Sequence, residues 1–249
     1  MYNPFSLDGK TILITGASSG IGKAIAIECA KMNAKLIITG RDKTRLDLVF
    51  SQLEGEGHQK FIFDINNQED VDFFISSISH IDGLVHSAGI VHTLPFKFLQ
   101  RDTFDQIMNT NFFSPVFMTN QLIRSKKINK RGSIVFLSSL AGNLIANPGT
   151  SMYSATKGAL SAISKVLAIE LSNQKIRVNC LLPGMVKTEM IDTFENSITK
   201  EQLIEDQKKY PLGYGEPTDV AFAAIYFLSD ASKWTTGVSF ILDGGFMLL

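Results

Sequence analysis

The sequence predicts a doubly wound α/β fold, in which helices cover both faces of one mostly parallel sheet. Short β-branched runs alternate with longer helical stretches along the whole chain, as in repeated βαβ units. A glycine-rich turn follows the first of these runs directly, at residues 16–22. No linker, internal repeat or low-complexity tract interrupts the 249 residues, so we expect a single domain over residues 1–249.

Seven runs are predicted as strands and six stretches as helices. The strands are expected at residues 10–15, 35–39, 59–63, 82–86, 132–137, 175–182 and 237–242. The helices are expected at residues 23–32, 42–53, 67–78, 103–124 and 217–228, with one more that carries Tyr153 and ends near residue 171. Residues 185–210 are long for a connection, and long insertions after a strand often close over a ligand. We therefore predict a substrate lid at residues 185–212.

Composition excludes several classes of protein. Lys plus Arg total 24 and Asp plus Glu total 24, so the formal net charge is zero and nothing favours nucleic acid or an anionic membrane as a partner. The longest apolar run, residues 221–228, is far shorter than the roughly 20 residues of a membrane span. Residues 1–10 lack the pattern of a signal peptide, so we expect a soluble, cytoplasmic protein. Cys29 and Cys180 lie in apolar segments, which predicts buried free thiols and no metal site.

The glycine-rich turn indicates a dinucleotide site. It reads Gly16-Ala17-Ser18-Ser19-Gly20-Ile21-Gly22, between a predicted strand and a predicted helix. That order places a phosphate at the helix N-terminus, and the glycines let the backbone approach it. The alternative is a tight βα turn without a ligand.

The end of the second predicted strand indicates which dinucleotide binds. An acidic residue there binds the ribose 2′-hydroxyl of NAD, whereas an arginine accommodates the 2′-phosphate of NADP. Gly40 occupies the acidic position and Arg41 follows it, while Asp42 is interpreted as a helix cap. We therefore predict NADP(H), with NAD(H) as the alternative cofactor and an ordinary surface cation as the alternative for Arg41.

Further candidate residues converge on one edge of the predicted sheet. In open α/β sheets ligands bind outside the carboxyl ends of the strands. The positions that follow these ends are Gly16, Arg41, Asp64, Ala88, Ser139 and Pro183-Gly184. The helix after Ser139 begins near Tyr153 and Lys157, which lie one turn apart on the same face. A nearby ammonium lowers the pKa of a phenol, so the pair suits proton transfer, although a lysine stem packed on a half-buried tyrosine is the structural alternative.

Asn111 stands among apolar residues of the helix predicted at 103–124. A buried asparagine needs hydrogen-bond partners, so it is either a structural clamp or part of a site.

Taken in order, Thr15-Gly16-x3-Gly20-x-Gly22, Ser139, Tyr153-x3-Lys157 and Pro183-Gly184 resemble the short-chain dehydrogenase/reductase family, over residues 7–245. The resemblance implies a seven-stranded Rossmann sheet, a nicotinamide cofactor and reversible hydride transfer between that cofactor and a carbonyl or secondary alcohol. It also implies an oxidoreductase that assembles as a homotetramer, and Arg41 makes NADP(H) the expected cofactor of that enzyme. A non-catalytic dinucleotide-binding regulator on the same fold is the alternative.

The resemblance also implies roles for individual residues. Tyr153 matches the general acid/base, Lys157 the residue that holds the nicotinamide ribose and lowers the tyrosine pKa, and Ser139 the donor to the substrate oxygen. Asn111 matches the residue that holds a water in the proton relay, which completes the catalytic set. The residues implied to bind the cofactor are Gly16, Ser18, Ser19, Gly20, Ile21, Gly22, Arg41, Asp64, Ile65, Ser87, Ala88, Gly89, Tyr153, Lys157, Pro183, Gly184, Val186 and Thr188.

Two features depart from the family pattern or leave a choice. Where the family has Asn-Asn-Ala-Gly, this chain has His86-Ser87-Ala88-Gly89, a segment that supports the sheet and the cofactor floor. Ser138 and Ser139 are adjacent, and a step of one residue in a strand turns the side chain to the other face. We select Ser139, which precedes Leu140-Ala141-Gly142 as in the family pattern.

The substrate is left open by the sequence. The predicted pocket loops are mainly apolar, with Asn143 and Asn147 as polar exceptions; the apolar members are Leu94, Phe96, Leu140, Leu144, Ile145, Met185 and Met190. They suit an acyl chain, a steroid-like ring system or a small ketone. The whole chain is similar to the 3-oxoacyl-[acyl-carrier-protein] reductase type, for which an acyl thioester would be the substrate. Lys126, Lys127, Lys130 and Arg131 offer a basic patch for a carrier protein or an ordinary solvated loop, and the apolar tail at 246–249 suits a subunit contact.

Overall fold

A computed structural model describes residues 2–190 and 200–248 of the chain. The strands are β1 Thr11–Thr15, β2 Lys35–Gly40, β3 Gln59–Ile62, β4 Ile81–His86, β5 Ile128–Leu137, β6 Arg177–Pro183 and β7 Ser239–Leu242. They form one parallel sheet in the order β3-β2-β1-β4-β5-β6-β7. The predicted doubly wound, seven-stranded fold is confirmed.

Helices cover both faces of the sheet. They are α1 Gly20–Lys31, α2 Lys43–Phe50, α3 Gln68–Ser77, α4 Arg101–Met108, α5 Ser114–Arg124, α6 Ser151–Glu170, α7 Lys200–Gln207 and α8 Pro217–Leu228. Short 3-10 turns lie at Phe96–Phe98, Ser172–Gln174, Asp230–Ser232 and Phe246–Leu248. No helix in this part of the chain combines the length and apolar character that crossing a membrane requires.

One predicted helix is interrupted. The sequence pattern predicted a continuous helix at 103–124, but a π-helical turn at Asn109–Phe113 separates α4 from α5. Pro115 is the physical reason, because a proline has no N–H to donate to the carbonyl of Asn111 four residues earlier. The ladder of α-helical hydrogen bonds therefore cannot run unbroken past Asn111.

Successive strand residues point to opposite faces and enter two separate cores. In β1, Ile12 and Ile14 are buried against α1 and α8, whereas Leu13 faces the core on the other side. A parallel sheet covered on both faces needs this continuous apolar sequence in its strands. Cys29 and Cys180, predicted as buried thiols, lie one in each core and are free.

The strand order creates the position of the site. The chain leaves β1 towards β2 and β3, and then crosses to β4 on the other side of β1. Thr15 at the end of β1 is paired with His86 at the end of β4. The connections after β1 and β4 therefore diverge and open a crevice at the carboxyl edge. On the predicted lid at 185–212 the structure describes α7 and its flanks, and residues 191–199 lie outside the described part.

Candidate functional site

A cleft of about 830 Å³ opens at the carboxyl ends of the strands. Every residue predicted above to bind the cofactor lines this cleft, from the glycine turn to Thr188. Ser139, Tyr153 and Lys157 line it as well, whereas Asn111 does not. The structure therefore brings the predicted site residues together at one place, with Asn111 set behind it.

The glycine turn is shaped by close backbone contacts. Gly16 has a φ of 68°, and a Cβ there would stand 2.6 Å from the backbone of Ala88. A Cβ on Gly22 would stand 2.2 Å from the carbonyl oxygen of Gly16. These distances lie far inside van der Waals contact, so both positions require glycine for the turn and α1 to pack together.

The N-terminus of α1 fits a pyrophosphate. Gly20, Ile21 and Gly22 form its first turn and line the cleft. Within the described residues, no acidic side chain lies in this turn and the Ser19 side chain makes no capping hydrogen bond. The first N–H groups and the positive end of the helix are thus available to an anion in the cleft.

The end of β2 carries the predicted ribose contacts. A Cβ on Gly40 would lie 3.3 Å from the Ser18 side chain, so a larger residue would crowd the turn. Asp42 caps α2, as interpreted from the sequence, by accepting a hydrogen bond from the backbone N–H of Arg45 at 3.0 Å. Arg41 lines the cleft without a carboxylate partner among the described residues. Arg45 also lines the cleft and was missed; its position four residues after Arg41, in the first turn of a helix, is the signal that was available in the sequence.

Asp64 lies at the far end of the cleft, beyond β3. One of its carboxylate oxygens accepts a hydrogen bond from the backbone N–H of Asn66 at 2.9 Å. The Asn66 side chain in turn bonds Thr110 and Ser114. Asp64, one of the residues that the resemblance implies to bind the cofactor, is therefore held in place at the cleft.

Ser139 and Tyr153 form a hydrogen-bonded pair in the cleft. Ser139 follows β5, and its hydroxyl bonds the Tyr153 side chain from α6. The hydroxyl also accepts a hydrogen bond from the backbone N–H of Ala141 at 3.1 Å. Ser138 has different partners: its hydroxyl donates to the carbonyl of Lys157 at 2.8 Å. The Ser139 hydroxyl and the Tyr153 side chain thus lie next to each other at the cleft, which suits the binding of a single substrate oxygen between them.

The pKa of Tyr153 differs from the value predicted from its neighbour. Burial raises the pKa above the usual value of about 10, and the hydrogen bond with Ser139 opposes that rise. The expectation that Lys157 lowers the pKa of Tyr153 is wrong for this arrangement. The reason is geometric, because the Lys157 ammonium lies 5.5 Å from the ring centroid and donates a 2.6 Å hydrogen bond to the carbonyl of Leu137.

Lys157 is buried beneath the cleft. Burial lowers the pKa of its ammonium from 10.5 to about 8. Near neutral pH most of the ammonium groups therefore still carry their proton and their charge. The lowered pKa lies only slightly above that pH, so a small further shift would make the group neutral. A partner in the cleft that bonds the ammonium would favour the charged form.

Asn111 acts as a clamp in the described structure. It is 1% exposed and lies in the π-helical turn between α4 and α5. Its side-chain amide donates to the Ile90 carbonyl and accepts from the Ile90 N–H, each at 2.8 Å. Of the two alternatives read from the sequence, these contacts favour the clamp, while the role of holding a water stays a prediction.

His86, which departs from the family pattern, is buried at the end of β4. Its Nε2 bonds the Thr119 hydroxyl at 2.8 Å, and Thr119 donates to the Pro115 carbonyl, so Nε2 carries the proton. Nδ1 is buried without a hydrogen-bond partner among the described residues. Burial lowers the pKa of the imidazole to about 3, so the ring is neutral and ties β4 to α5.

The lid side of the cleft contains residues that sequence reasoning missed. Asp206 in α7 and Tyr210 and Tyr214 after it line the cleft. The Tyr214 hydroxyl donates to Asp206 at 2.8 Å, and the two tyrosine rings meet edge to face. No strand end or motif marks these residues, so their place in the site depends on how α7 folds back.

The prediction of which loop residues line the pocket is correct in part. The residues of these loops that line the cleft are Leu140, Ile145, Asn147, Met185 and Met190. Leu94, Phe96, Asn143 and Leu144 are not among the lining residues, and Phe96 and Leu144 are exposed. The cleft on this side remains mainly apolar.

The basic residues considered for carrier-protein docking lie elsewhere. Lys126 and Lys127 precede β5, and Lys130 and Arg131 lie in its first half. Arg131 is six residues from the end of β5 at Leu137, about 20 Å along a strand. The patch thus lies towards the opposite edge of the sheet and does not flank the cleft.

The doubly wound sheet, the glycine turn and the serine, tyrosine and lysine at its edge define the class of oxidoreductases that use a nicotinamide cofactor. A family model described as enoyl-(acyl carrier protein) reductase matches residues 16–247. The 3-oxoacyl-[acyl-carrier-protein] reductase FabG of Rickettsia typhi is 36% identical over 97% of this chain and 98% of that protein. Gluconate 5-dehydrogenase of Gluconobacter oxydans is 32% identical over 97% of this chain and 96% of that protein.

Solved structures agree with these relatives. A putative short-chain alcohol dehydrogenase from Sinorhizobium meliloti superposes with a TM-score of 0.91 at 27% identity, covering 99% of both chains. A putative 2-deoxy-d-gluconate 3-dehydrogenase from Agrobacterium tumefaciens, solved with bound NADP, superposes with a TM-score of 0.87 at 26% identity over 100% of both chains. The chain therefore belongs to the short-chain dehydrogenase/reductase family of oxidoreductases.

Proposed function

We propose that the protein is an NADP(H)-dependent oxidoreductase that interconverts a carbonyl group and a secondary alcohol, with a 3-oxoacyl thioester as the substrate. The observation that carries the proposal is the convergence of the Ser139 and Tyr153 hydroxyl groups in the cleft, beside the buried Lys157. Two hydroxyl donors at one point suit an oxygen that changes between carbonyl and alkoxide.

The residues of this chain then have separate tasks. The bound nicotinamide supplies or accepts the hydride. Ser139 donates a hydrogen bond to the substrate oxygen and orients it. Tyr153 donates its proton to that oxygen in reduction and removes the proton in oxidation. Lys157, charged near neutral pH, anchors the cofactor ribose and supplies a positive charge near the oxygen.

The preference for NADP(H) over NAD(H) is supported by four residues at the end of β2 and the start of α2. Gly40 has no carboxylate to accept from a ribose 2′-hydroxyl, and Asp42 is engaged as the cap of α2. Arg41 and Arg45 both face the cleft, where a 2′-phosphate would meet two guanidinium groups.

The substrate class is supported by the charges of the cleft. The cationic side chains that line it are Arg41 after β2, Arg45 in α2 and Lys157 in α6. On the lid side the lining residues include the acidic Glu189 and Asp206. Residues 191–199, outside the described part, contain no Lys or Arg in their sequence. On the lid side, the described lining residues therefore offer a sugar acid such as gluconate no cation for its carboxylate, whereas an uncharged oxoacyl thioester needs none.

A substrate panel tests this proposal. The purified enzyme is mixed with NADPH and one compound at a time, and NADPH absorbance is followed. The panel contains acetoacetyl-N-acetylcysteamine, crotonyl-N-acetylcysteamine, 5-ketogluconate and a 3-ketosteroid. We expect the highest kcat/KM for the acetoacetyl thioester. Preference for 5-ketogluconate or the ketosteroid would overturn the substrate class, and turnover of the crotonyl thioester alone would overturn carbonyl reduction.

Two further features belong to the proposal. We propose a homotetramer, because large apolar side chains are exposed in two parts of the chain. One group, the helix patch, lies on or next to α5 and α6 and consists of Phe113, Phe117, Val166 and Ile169; the other, the edge patch, lies between α8 and the C-terminal turn and consists of Phe222, Trp234, Phe240, Ile241 and Leu248. The cytoplasm remains the proposed location, and the free thiols of Cys29 and Cys180 are consistent with a reducing compartment.

A further inference from the structure

Asn143 does not line the cleft, yet its side chain contacts the residue at the centre of the proposed chemistry. Its amide nitrogen donates one hydrogen bond to the carbonyl oxygen of Ser139 at 2.8 Å. The same nitrogen donates a second to the hydroxyl of Ser138 at 3.1 Å. One amide group therefore bridges the two residues that follow β5.

The Ser138 hydroxyl extends this bridge to α6. It donates to the carbonyl of Lys157 at 2.8 Å and accepts from the Ser161 hydroxyl at 3.0 Å. Ser138 is 4% exposed, so these bonds are protected from water and keep their geometry. Through Ser138, Asn143 connects the backbone of Ser139 with the helix that carries Tyr153 and Lys157.

The loop that carries Asn143 is held tightly against α6. Gly142 has a φ of 83°, and a Cβ there would stand 2.0 Å from the carbonyl oxygen of Ser154. The backbone N–H of Asn143 donates to the carbonyl of Leu140 at 3.1 Å. The side chain thus starts from a fixed backbone, and its two hydrogen bonds hold the peptide after Ser139 in one orientation.

We propose that Asn143 is a positioning residue for the reaction: its amide fixes the Ser139 peptide, and through it the direction of the Ser139 hydroxyl towards Tyr153 and the substrate oxygen. The inference rests on the proposed carbonyl–alcohol chemistry. Catalysis depends on such orientation, and a small misplacement of a donor costs rate without affecting distant binding contacts.

The expected effect separates rate from cofactor binding. Asn143→Ala should lower kcat about tenfold, the factor that corresponds to loss of one good hydrogen bond in the transition state. The Kd for NADPH, measured by fluorescence titration, should stay within about twofold, because Asn143 is not among the cleft-lining residues. Asn129→Ala is the matched control: Asn129 is also half-buried, lies at the opposite end of β5, and its amide donates to Asp82 at 2.8 Å. The control should keep the wild-type kcat.

A double-mutant cycle decides whether Asn143 acts through Ser139. In the Ser139→Ala background the hydroxyl to be oriented is gone, so adding Asn143→Ala should lower kcat by less than about twofold. A further tenfold loss in that background, or a wild-type kcat for Asn143→Ala alone, would overturn the proposal. If the alanine variant is unstable, the same cycle is measured with Asn143→Ser and Asn143→Asp. Unfolding of all three variants would show that Asn143 has a purely structural role, and would also overturn the proposal. A wild-type enzyme that turns over none of the carbonyl compounds contradicts the proposed function instead.

Discussion

The charge at the proposed site of the adenosine ribose depends on a few residues at the end of β2. Arg41 lines the cleft, and Gly40 stands where NAD-binding sites have an acidic side chain. Asp42 accepts a hydrogen bond from the first turn of α2. The order Thr39-Gly40-Arg41-Asp42 made the cap and the arginine predictable from sequence. Arg45 lines the same cleft from the first turn of α2, and the structure identified it where the sequence analysis had not.

Replacing Arg41 with alanine tests the cofactor assignment at this scale. We expect the Kd for NADPH to rise about tenfold or more, since a charge-assisted contact with a phosphate contributes about 1.5–3 kcal/mol. The Kd for NADH should change by less than about twofold, because NADH has no 2′-phosphate. Both constants are measured by fluorescence titration, and an equal loss for the two cofactors would contradict the assignment.

Tyr153, the proposed acid/base residue, had a predictable position but not a predictable pKa. The spacing of Tyr153 and Lys157 placed both on one face of α6, as predicted. The direction of the tyrosine pKa could not be predicted, because it depends on burial and on the carbonyl of Leu137, which takes the lysine's hydrogen bond. Both are tertiary features that no spacing along a helix contains.

At the scale of elements, β1, the glycine turn and α1 form one unit. The turn brings α1 so close to β1 that the Cβ of any residue at position 22 would overlap the carbonyl of Gly16. This unit was predictable because its physical requirements are local: a strand, glycines and a helix in that order. The π-helical turn before α5 was not predicted, although Pro115 marked it.

Gly22→Ala should separate α1 from the turn. The added Cβ would lie 2.2 Å from the Gly16 carbonyl oxygen, so we expect a loss of more than about 2 kcal/mol in the free energy of unfolding. Urea unfolding measures it. Gly215→Ala is the control, since its Cβ would meet its nearest atom at 3.6 Å and should change stability by less than about 0.5 kcal/mol. Equal stability of the two variants would show that the close packing is absent.

His86, at the end of β4, makes the free energy of unfolding depend on pH. The folded pKa of His86 is about 3, below the usual unfolded value of about 6.5. Below pH 6.5 the unfolded chain therefore binds a proton that the folded chain does not, and stability falls as the pH falls, by about 1.4 kcal/mol per unit.

His86→Asn should remove this contribution to the pH dependence of the unfolding free energy. Between pH 7 and 4.5 we expect the variant to lose about 2–3 kcal/mol less of its unfolding free energy than the wild type does. Chemical unfolding at several pH values measures both, and His80→Asn, at an exposed histidine, controls for loss of a histidine from the chain. Parallel pH curves for wild type and His86→Asn would contradict the burial of a neutral imidazole.

For the whole molecule, the alternation of strands and helices was sufficient to predict the sheet and the edge where the site lies. The rules for parallel sheets and crossover connections leave few topologies for such a pattern. The lid side of the cleft was not predictable at the level of residues. Tyr210 and Tyr214 reach it only because α7 folds back over the strand ends.

The exposed apolar side chains of the helix patch and the edge patch are the basis for predicting a homotetramer. Ile169 in the helix patch is 76% exposed and Trp234 in the edge patch is 98% exposed. A tetramer with two kinds of two-fold interface would cover both patches. We expect the wild type to sediment as a tetramer, and Ile169→Asp and Trp234→Asp each to reduce it to dimers. Leu48→Asp, at an exposed leucine outside both patches, should leave the tetramer intact. A monomeric wild type would contradict the assembly.

We propose above that Tyr153 transfers the proton to a substrate oxygen. The most direct measurement is the turnover of acetoacetyl-N-acetylcysteamine with NADPH by Tyr153→Phe, alongside the Kd for NADPH. Tyr226→Phe, which loses a hydroxyl bonded to Thr235 instead, is the control. We expect kcat to fall by about 100- to 10,000-fold in Tyr153→Phe, while the Kd stays near that of the wild type and the control remains active. Wild-type turnover by Tyr153→Phe would contradict it.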